Sequence, residues 1–358
     1  MTRTVHLHIG EPKTGTTYLQ GMLFHHQSQL RDAGILVPGK NLDHIRAGHD
    51  VLGRTKTAGT HSTEGAWEEL AGQIESSELP HAVISMEMLT RAGAPQAARA
   101  VRAFSDSTDV RVVVTARELS RLVPARWQES VQFRKSWTLD EYVAGVFDSP
   151  RERDTGPAKH FWGLHDTPVT VQTWGKHVSP DHISVVTVPP SGSAPDLLWT
   201  RFGDAIGADL RGYAPADTSN ASLGAASAEL MRRLNDALAD SDMGDADHAR
   251  ICRRFLGKSV LPELKSQEPG IALPPAFSAD AHALSVQIVT ELRHTGARVV
   301  GNLDELLSSA TSTEPLAPTE AQIASAALAA MAALVEQNAK LARKARRRGD
   351  DLAFTEVD

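Results

Sequence analysis

Ile9-Gly10-Glu11-Pro12-Lys13-Thr14-Gly15-Thr16-Thr17-Tyr18 follows the run Thr4-Val5-His6-Leu7-His8 and precedes an apolar periodic segment. Alternation over the first run predicts a strand, and apolar residues at helical spacing after the loop predict a helix. Such a strand-loop-helix unit is an anion cradle: backbone N–H groups converge at the helix N-terminus, and the helix dipole adds partial positive charge. Gly10 and Gly15 have the separation of the phosphate-binding pattern G-x-x-x-x-G-K-[ST], and Thr17 stands at its hydroxyl position. The lysine does not conform. Thr16 fills the slot after the second glycine, and Lys13 lies inside the loop instead.

From that position Lys13 reaches toward the far side of a bound phosphate, where leaving-group charge develops when an attached group is transferred. A magnesium-dependent phosphoryl transferase would need a buried Asp at a strand end to hold the metal near Thr17. The later apolar runs Ala82-Val83-Ile84-Ser85 and Val112-Val113-Val114-Thr115 end in other chemistry. Pro12-Lys13-Thr14-Gly15-Thr16-Thr17 resembles the P-K-[ST]-G-T-[TS] signature of sulfotransferases that use 3′-phosphoadenosine 5′-phosphosulfate (PAPS). The resemblance implies a P-loop nucleotide-binding type of α/β fold, PAPS as sulfuryl donor and no required metal. It also implies that Pro12, Lys13, Thr14, Gly15, Thr16 and Thr17 hold the 5′-phosphosulfate, with Lys13 facing the bridging oxygen.

Sulfuryl transfer to a hydroxyl or amine also needs a base for the acceptor proton. Glu87 follows the predicted strand His81 to Ser85, at the carboxyl edge where parallel sheets bind ligands. The resembled family places a Glu or His base at the end of the strand after the first helical region, and Glu87 fits that place. It could equally cap or salt-bridge a helix starting near Met88. His49, with Asp50, is the reserve candidate, or part of an exposed polar loop. For the 3′-phosphate the family uses an Arg after a central strand and a Ser eight positions on. Arg117 supplies the first, but Ala125 stands at the second, leaving Ser120, Arg121, Arg126 or Gln128 to compensate. Arg254, Gly257 and Lys258 stand where the family has a loop closing over that phosphate, or form a charged helix end with a glycine stop. Trp127, Trp162 and Trp174 either stack on adenine or pack a core.

At 358 residues the chain can hold one large α/β domain with an appendage. The net charge of −7 argues against broad nucleic-acid binding. One cysteine, Cys252, excludes an internal disulfide framework and a thiolate metal cluster. No run approaches a membrane span and the N-terminus shows no apolar signal core, so cytoplasmic residence is the default expectation.

Strand and helix patterns alternate through the first half, which implies parallel βαβ units. Helix one should run from Thr16 or Thr17 to Asp32-Ala33-Gly34, and residues 40 to 63 read as a polar loop that could line a substrate cleft. Helices are expected near 67–74, 94–105, 121–133 (with Pro124 in a first turn or at a kink), 137–147, 197–206, 223–239, 245–256 and 280–295. Strands are expected at 110–115 and 182–188. The fold class is thus α/β, a parallel sheet flanked by helices with a mainly helical C-terminal part. Residues 1–310 form the domain, 311–320 a linker, and 321–358 an alanine-rich helix with a basic end. Leu328, Met331, Val335 and Asn338 recur at spacing compatible with a docking helix or a homodimer. The expected activity is PAPS-dependent transfer to a small-molecule, glycan or natural-product acceptor. The alternatives are a nucleotide-binding module without turnover, or a P-loop kinase.

Overall fold

The computed structural model describes residues 2–55, 61–216, 222–309 and 317–348. Six strands form one sheet in the order β2-β3-β1-β4-β5-β6, and every neighbouring pair is parallel. They are β1 (Arg3–Gly10), β2 (Ile35–Leu36), β3 (His81–Ser85), β4 (Thr108–Ala116), β5 (Ile183–Thr187) and β6 (Arg298–Val300). Parallel neighbours need crossovers, and helices supply them, burying both faces of the sheet. The expected α/β class with a parallel sheet flanked by helices is the architecture observed. No helix among the described residues is long and apolar enough to cross a membrane.

Burial on two faces has a consequence for β1. Its alternation of apolar residues with His6 and His8 suggests a strand with one wet face, yet His6 is 1% and His8 0% exposed. Desolvation drives both imidazoles down to a pKa of about 3, so they sit neutral in the core. His8 Nδ1 shares a hydrogen bond with Ser85 Oγ on β3 at 2.7 Å.

The first helical region is α1 (Thr16–His25) and α2 (Gln27–Asp32), divided at His26 rather than continuous. His26 explains the break, because its ring bonds Gln29 Oε1 at 2.5 Å and the Ala214 carbonyl at 2.8 Å. Residues 40–63 are not the expected loop throughout: Asn41–Val51 is α3, while residues 56–60 lie outside the described set. Its apolar signal is weak because the buried positions include His44, Ala47, Gly48 and Asp50. Next come α4 (Ala66–Glu75), α5 (Ala94–Arg102), α6 (Leu119–Gln132), α7 (Leu139–Asp148), α8 (Gly156–Trp162), α9 (Thr167–Trp174) and α10 (Leu197–Ile206). Pro124 sits inside α6, past its first turn, where it denies the Ser120 carbonyl its helical donor. The core around α1 and α10 joins Leu19, Met22 and Leu23 to Val83, Val113 and Val186 of the sheet and to Trp199 and Phe202. The three-residue strand β6 escaped the sequence reading because two of its residues are exposed and its run is too short to show a period.

The chain divides into two compact units. The sheet belongs to the first, Met1–Arg126, Asp140–Asn220 and Leu273–Thr313; the second is Trp127–Leu139, Ala221–Ala272 and Glu314–Asp358. The first also holds a later helix, α13 (Ser278–Arg293). Within the second, α11 (Ala225–Ala237) and α12 (Asp245–His248) are followed by π-helical Ala249–Val260 and, later, α14 (Glu320–Arg348). Asn235 ties this second unit together by donating to the Val131 carbonyl at 2.7 Å and the Lys135 carbonyl at 2.9 Å. The expected linker lies mostly outside the described residues. On α14, Ile323, Ala326 and Ala330 are buried, whereas Leu328, Met331 and Val335 are exposed, the stripe that an expected pairing of two copies would use.

Candidate active site

The sheet order places the loop after β1 between the carboxyl ends of β3 and β4, its two neighbours. Each side holds the loop by a different contact. Toward β4, the Glu11 N–H donates to the Thr115 carbonyl at 3.0 Å, and Thr14 Oγ1 meets Thr115 Oγ1 at 2.5 Å while also donating to the Glu11 carbonyl. Toward β3, Gly10 presses on Glu87: a Cβ on this glycine would lie 2.7 Å from the Glu87 carbonyl oxygen, and its φ of +109° is one that other residues rarely adopt. Pro12 and Thr14 are buried, so they shape the loop from inside.

Lys13 and Gly15 both adopt left-handed backbone, with φ of 64° and 85°. Left-handed residues within a loop turn successive N–H groups toward one concavity. Gly15 is the N-cap of α1 and, having no side chain, gives that first turn no side-chain cap. Thr16 is buried and Thr17 exposed at the same helix start. Arg117, the residue after β4, donates from Nη1 to the Lys13 carbonyl at 3.1 Å, while its Nε is buried without a hydrogen-bond partner among the described residues. Burial, then the nearby Arg121 cation, lowers its pKa to about 10, which leaves it charged at neutral pH.

Glu87 begins a short 3-10 turn, Glu87–Arg91, and is half-buried. Its Oε2 accepts from Gln20 Nε2 at 2.6 Å. Gln20 is four residues after Thr16, so it projects from the same side of α1 as the helix start. Sequence reading passed over Gln20, although that spacing was the available signal. His49 is half-buried on α3 and follows Gly48, which packs against Met86 so tightly that a Cβ would meet Met86 Cγ at 2.3 Å. Burial, then Arg54, lowers the His49 pKa. Asp50 is engaged structurally: its carboxylate accepts from the Trp67 N–H at 3.1 Å and from Arg99 at 3.0 Å.

The residues weighed for the 3′-phosphate are dispersed among local partners. Ser120 Oγ donates to Glu118 at 3.1 Å, Arg121 to the Pro189 carbonyl at 3.2 Å, and Arg126 meets the His160 ring at 3.1 Å. Gln128, in the second unit, donates to the Leu223 carbonyl at 2.6 Å. Lys258 is exposed on the π-helical segment of that unit. Trp127, Trp162 and Trp174 are core residues, 4%, 0% and 0% exposed, so the packing alternative is the one the structure takes.

Beneath the loop lies a cluster that sequence reading missed. Glu11 is 1% exposed; its Oε1 accepts from Thr167 Oγ1 at 2.7 Å and its Oε2 is 3.5 Å from His165 Nδ1. Burial pushes the Glu11 carboxyl up to about 8 and His165 well below its usual range. The signal was present: an acid inside an anion-binding loop is out of keeping with its surroundings unless it is protonated.

No family model matches the chain, and no curated protein does. Among solved structures it is similar to a sulfotransferase from Alicyclobacillus acidocaldarius, at 16% identity over 61% of this chain and 86% of that one, TM-score 0.39. It is also similar to the sulfotransferase domain from the curacin biosynthetic pathway, at 12% identity over 80% of this chain and 96% of that domain, TM-score 0.36. Both of these structures are sulfotransferases.

Proposed function

We propose that this chain is a sulfotransferase that moves a sulfuryl group from PAPS to a hydroxyl or amine. One observation carries the reading: the P-K-T-G-T-T loop has its lysine before the second glycine, in left-handed backbone, with its carbonyl held by Arg117. The residues fit an adenosine 3′-phosphate 5′-phosphosulfate. The first turn of α1 has no side-chain cap, so its N–H groups with the Thr16 and Thr17 hydroxyls suit the 5′-phosphate. Arg117, half-buried and charged, suits a second phosphate.

The bound donor supplies an activated sulfuryl group whose bridging oxygen leaves as phosphate. Lys13 places a cation where that oxygen gains charge, a task phosphoryl transfer assigns partly to metal. Glu87 takes the proton of the acceptor as the acceptor oxygen or nitrogen bonds to sulfur and the sulfur–bridging oxygen bond breaks. Gln20 holds the carboxylate in one orientation, and His49 is the reserve base. Acceptors of the small-molecule, glycan or natural-product class fit the reading, and the net charge of −7 argues against broad nucleic-acid binding.

Calorimetry with adenosine 3′,5′-bisphosphate against ATP tests the nucleotide class; absence of bisphosphate binding overturns the reading. Transfer of labelled sulfate from PAPS to a panel of acceptors, repeated in chelator, then separates a sulfotransferase from a kinase. Ala125 in place of the expected serine favours a second reading, a nucleotide-binding module. Tight bisphosphate binding with no transfer to any acceptor would support it.

A further inference from the structure

The first unit contains a buried acid-imidazole pair that the transfer chemistry does not use. Glu11 and His165 face each other at 3.5 Å, 1% and 2% exposed, directly under the anion loop. Neither ring nitrogen of His165 has a hydrogen-bond partner among the described residues. A cavity of about 10 Å³ adjoins them, lined by Glu11, Arg117, His165 and Thr167 together with Leu119 and Leu122. That volume is on the scale of one water, and the cavity offers that water polar partners on several sides.

Accepting that the loop binds a phosphorylated nucleotide, we propose that Glu11, buried beside the His165 ring, is a protonation switch that sets the charge behind Lys13 and Arg117. Glu11 is a positioning residue in this scheme, not a catalytic one. While the pair holds its proton, Glu11 is neutral and the loop offers its full positive field to the anion. When the proton leaves, a carboxylate appears two residues from Lys13 and beside the cavity that Arg117 lines. It competes with the bound phosphate for both cations, and binding weakens.

Charged and polar groups from several elements act on the pair. From α9 and the segment before it come Thr167, whose hydroxyl favours the ionised acid, and Asp166, which opposes it. Asp166 is itself neutralised by Arg153 at 2.8 Å, with Arg151 at 3.8 Å. Arg126 of α6, His160 of α8 and Lys13 of the loop all act against a charged His165. His160 is in turn bonded by Arg126 and by Tyr142. The imidazole is thus kept neutral first by burial and then by the surrounding positive charge, and the acid is kept neutral by burial. The pair therefore loses its proton from Glu11 near pH 8, where the carboxyl titrates.

The test is calorimetric binding of adenosine 3′,5′-bisphosphate to the full chain between pH 7 and 9, where phosphate ionisation, with its pKa of about 6, is complete. Affinity should fall several-fold with an inflection near pH 8 in the unmodified protein. Glu11→Gln should keep the acceptor oxygen for Thr167 yet bind with no inflection. Thr167→Val removes the hydrogen bond that favours the carboxylate, so its inflection should move to higher pH. An affinity that is flat with pH in the unmodified protein, or an inflection that persists in Glu11→Gln, overturns the proposal. Should Glu11→Gln fail to fold, an unmoved inflection in Thr167→Val overturns it instead. If the bisphosphate does not bind at any pH, the nucleotide reading fails. Inorganic sulfate, whose charge is constant between pH 7 and 9, is then the probe for the loop, and the same two outcomes decide the pair.

Discussion

Arg117 Nη1 donates to the Lys13 carbonyl at 3.1 Å, so the residue that follows the fourth strand fixes the loop that follows the first. Arg117→Ala removes both that brace and a phosphate-binding cation. Adenosine 3′,5′-bisphosphate affinity should fall ~10-fold or more, as expected for loss of a charge-assisted hydrogen bond to phosphate. Arg117→Lys should recover only part, because an ammonium cannot reach carbonyl and phosphate as a fork. Calorimetry on both variants checks this, and equal affinity in Arg117→Ala would remove Arg117 from the site.

Lys13 and Glu87 should separate kinetically. Lys13→Ala is expected to lower kcat by ~100-fold or more while changing bisphosphate affinity far less, since the cation acts on charge that develops during transfer. Glu87→Gln should abolish transfer and leave nucleotide affinity nearly intact. Gln20→Leu, which releases the Glu87 carboxylate from its 2.6 Å bond, should lower kcat with little change in donor KM. Steady-state kinetics with labelled donor measures all three. Unchanged turnover in Glu87→Gln moves the base to His49.

How far the sequence spoke follows from what each residue depends on. The loop was legible because its geometry is local: two glycines, a lysine and a helix start within a few residues determine it. Glu87 and Arg117 were legible one level up, since a parallel sheet brings the residues after its strands to one edge. What resisted reading depends on long-range packing. The His165 ring meets Glu11 across a chain separation that no period encodes, and α3 hid its helix because Gly48 and Asp50 are buried by Met86 and Arg99 rather than by an apolar stripe. The burial of His6 and His8 was not legible either, because alternation reports a strand's period and not the layer that covers it.

Gly10 is the point where the loop is most closely pressed. A methyl at this position would meet the Glu87 carbonyl oxygen at 2.7 Å and its Cα at 2.9 Å, in a backbone conformation at φ +109° that alanine resists. Gly10→Ala should therefore displace the loop from β3, lowering Tm and removing most bisphosphate binding together. Gly53→Ala is the control, since its Cβ would meet nothing within 4 Å and only its left-handed backbone is strained. Thermal melts with and without bisphosphate distinguish them: a Gly10 variant that melts and binds like the unmodified chain contradicts the close approach.

Stability should vary with pH in two opposed directions. Glu11 holds a proton in the folded state up to about pH 8 that the unfolded chain releases above about 4.5, so folding loses stability as pH rises through that window. His6 and His8 do the reverse: unfolded they bind protons below about 6.5, folded only near 3, so stability falls as pH drops below 6.5. Each such group contributes a slope of ~1.4 kcal/mol per pH unit inside its window. Below pH 6.5 the two histidines outweigh the single acid, and above it Glu11 acts alone, so these groups place the stability maximum near pH 6.5. Glu11→Gln should flatten the alkaline limb between pH 6.5 and 8 and steepen the acid limb, where the acid no longer offsets the two histidines. Denaturant titrations across pH 5 to 9 measure both limbs, and an alkaline limb unchanged by Glu11→Gln would show that the buried acid is ionised in the folded protein.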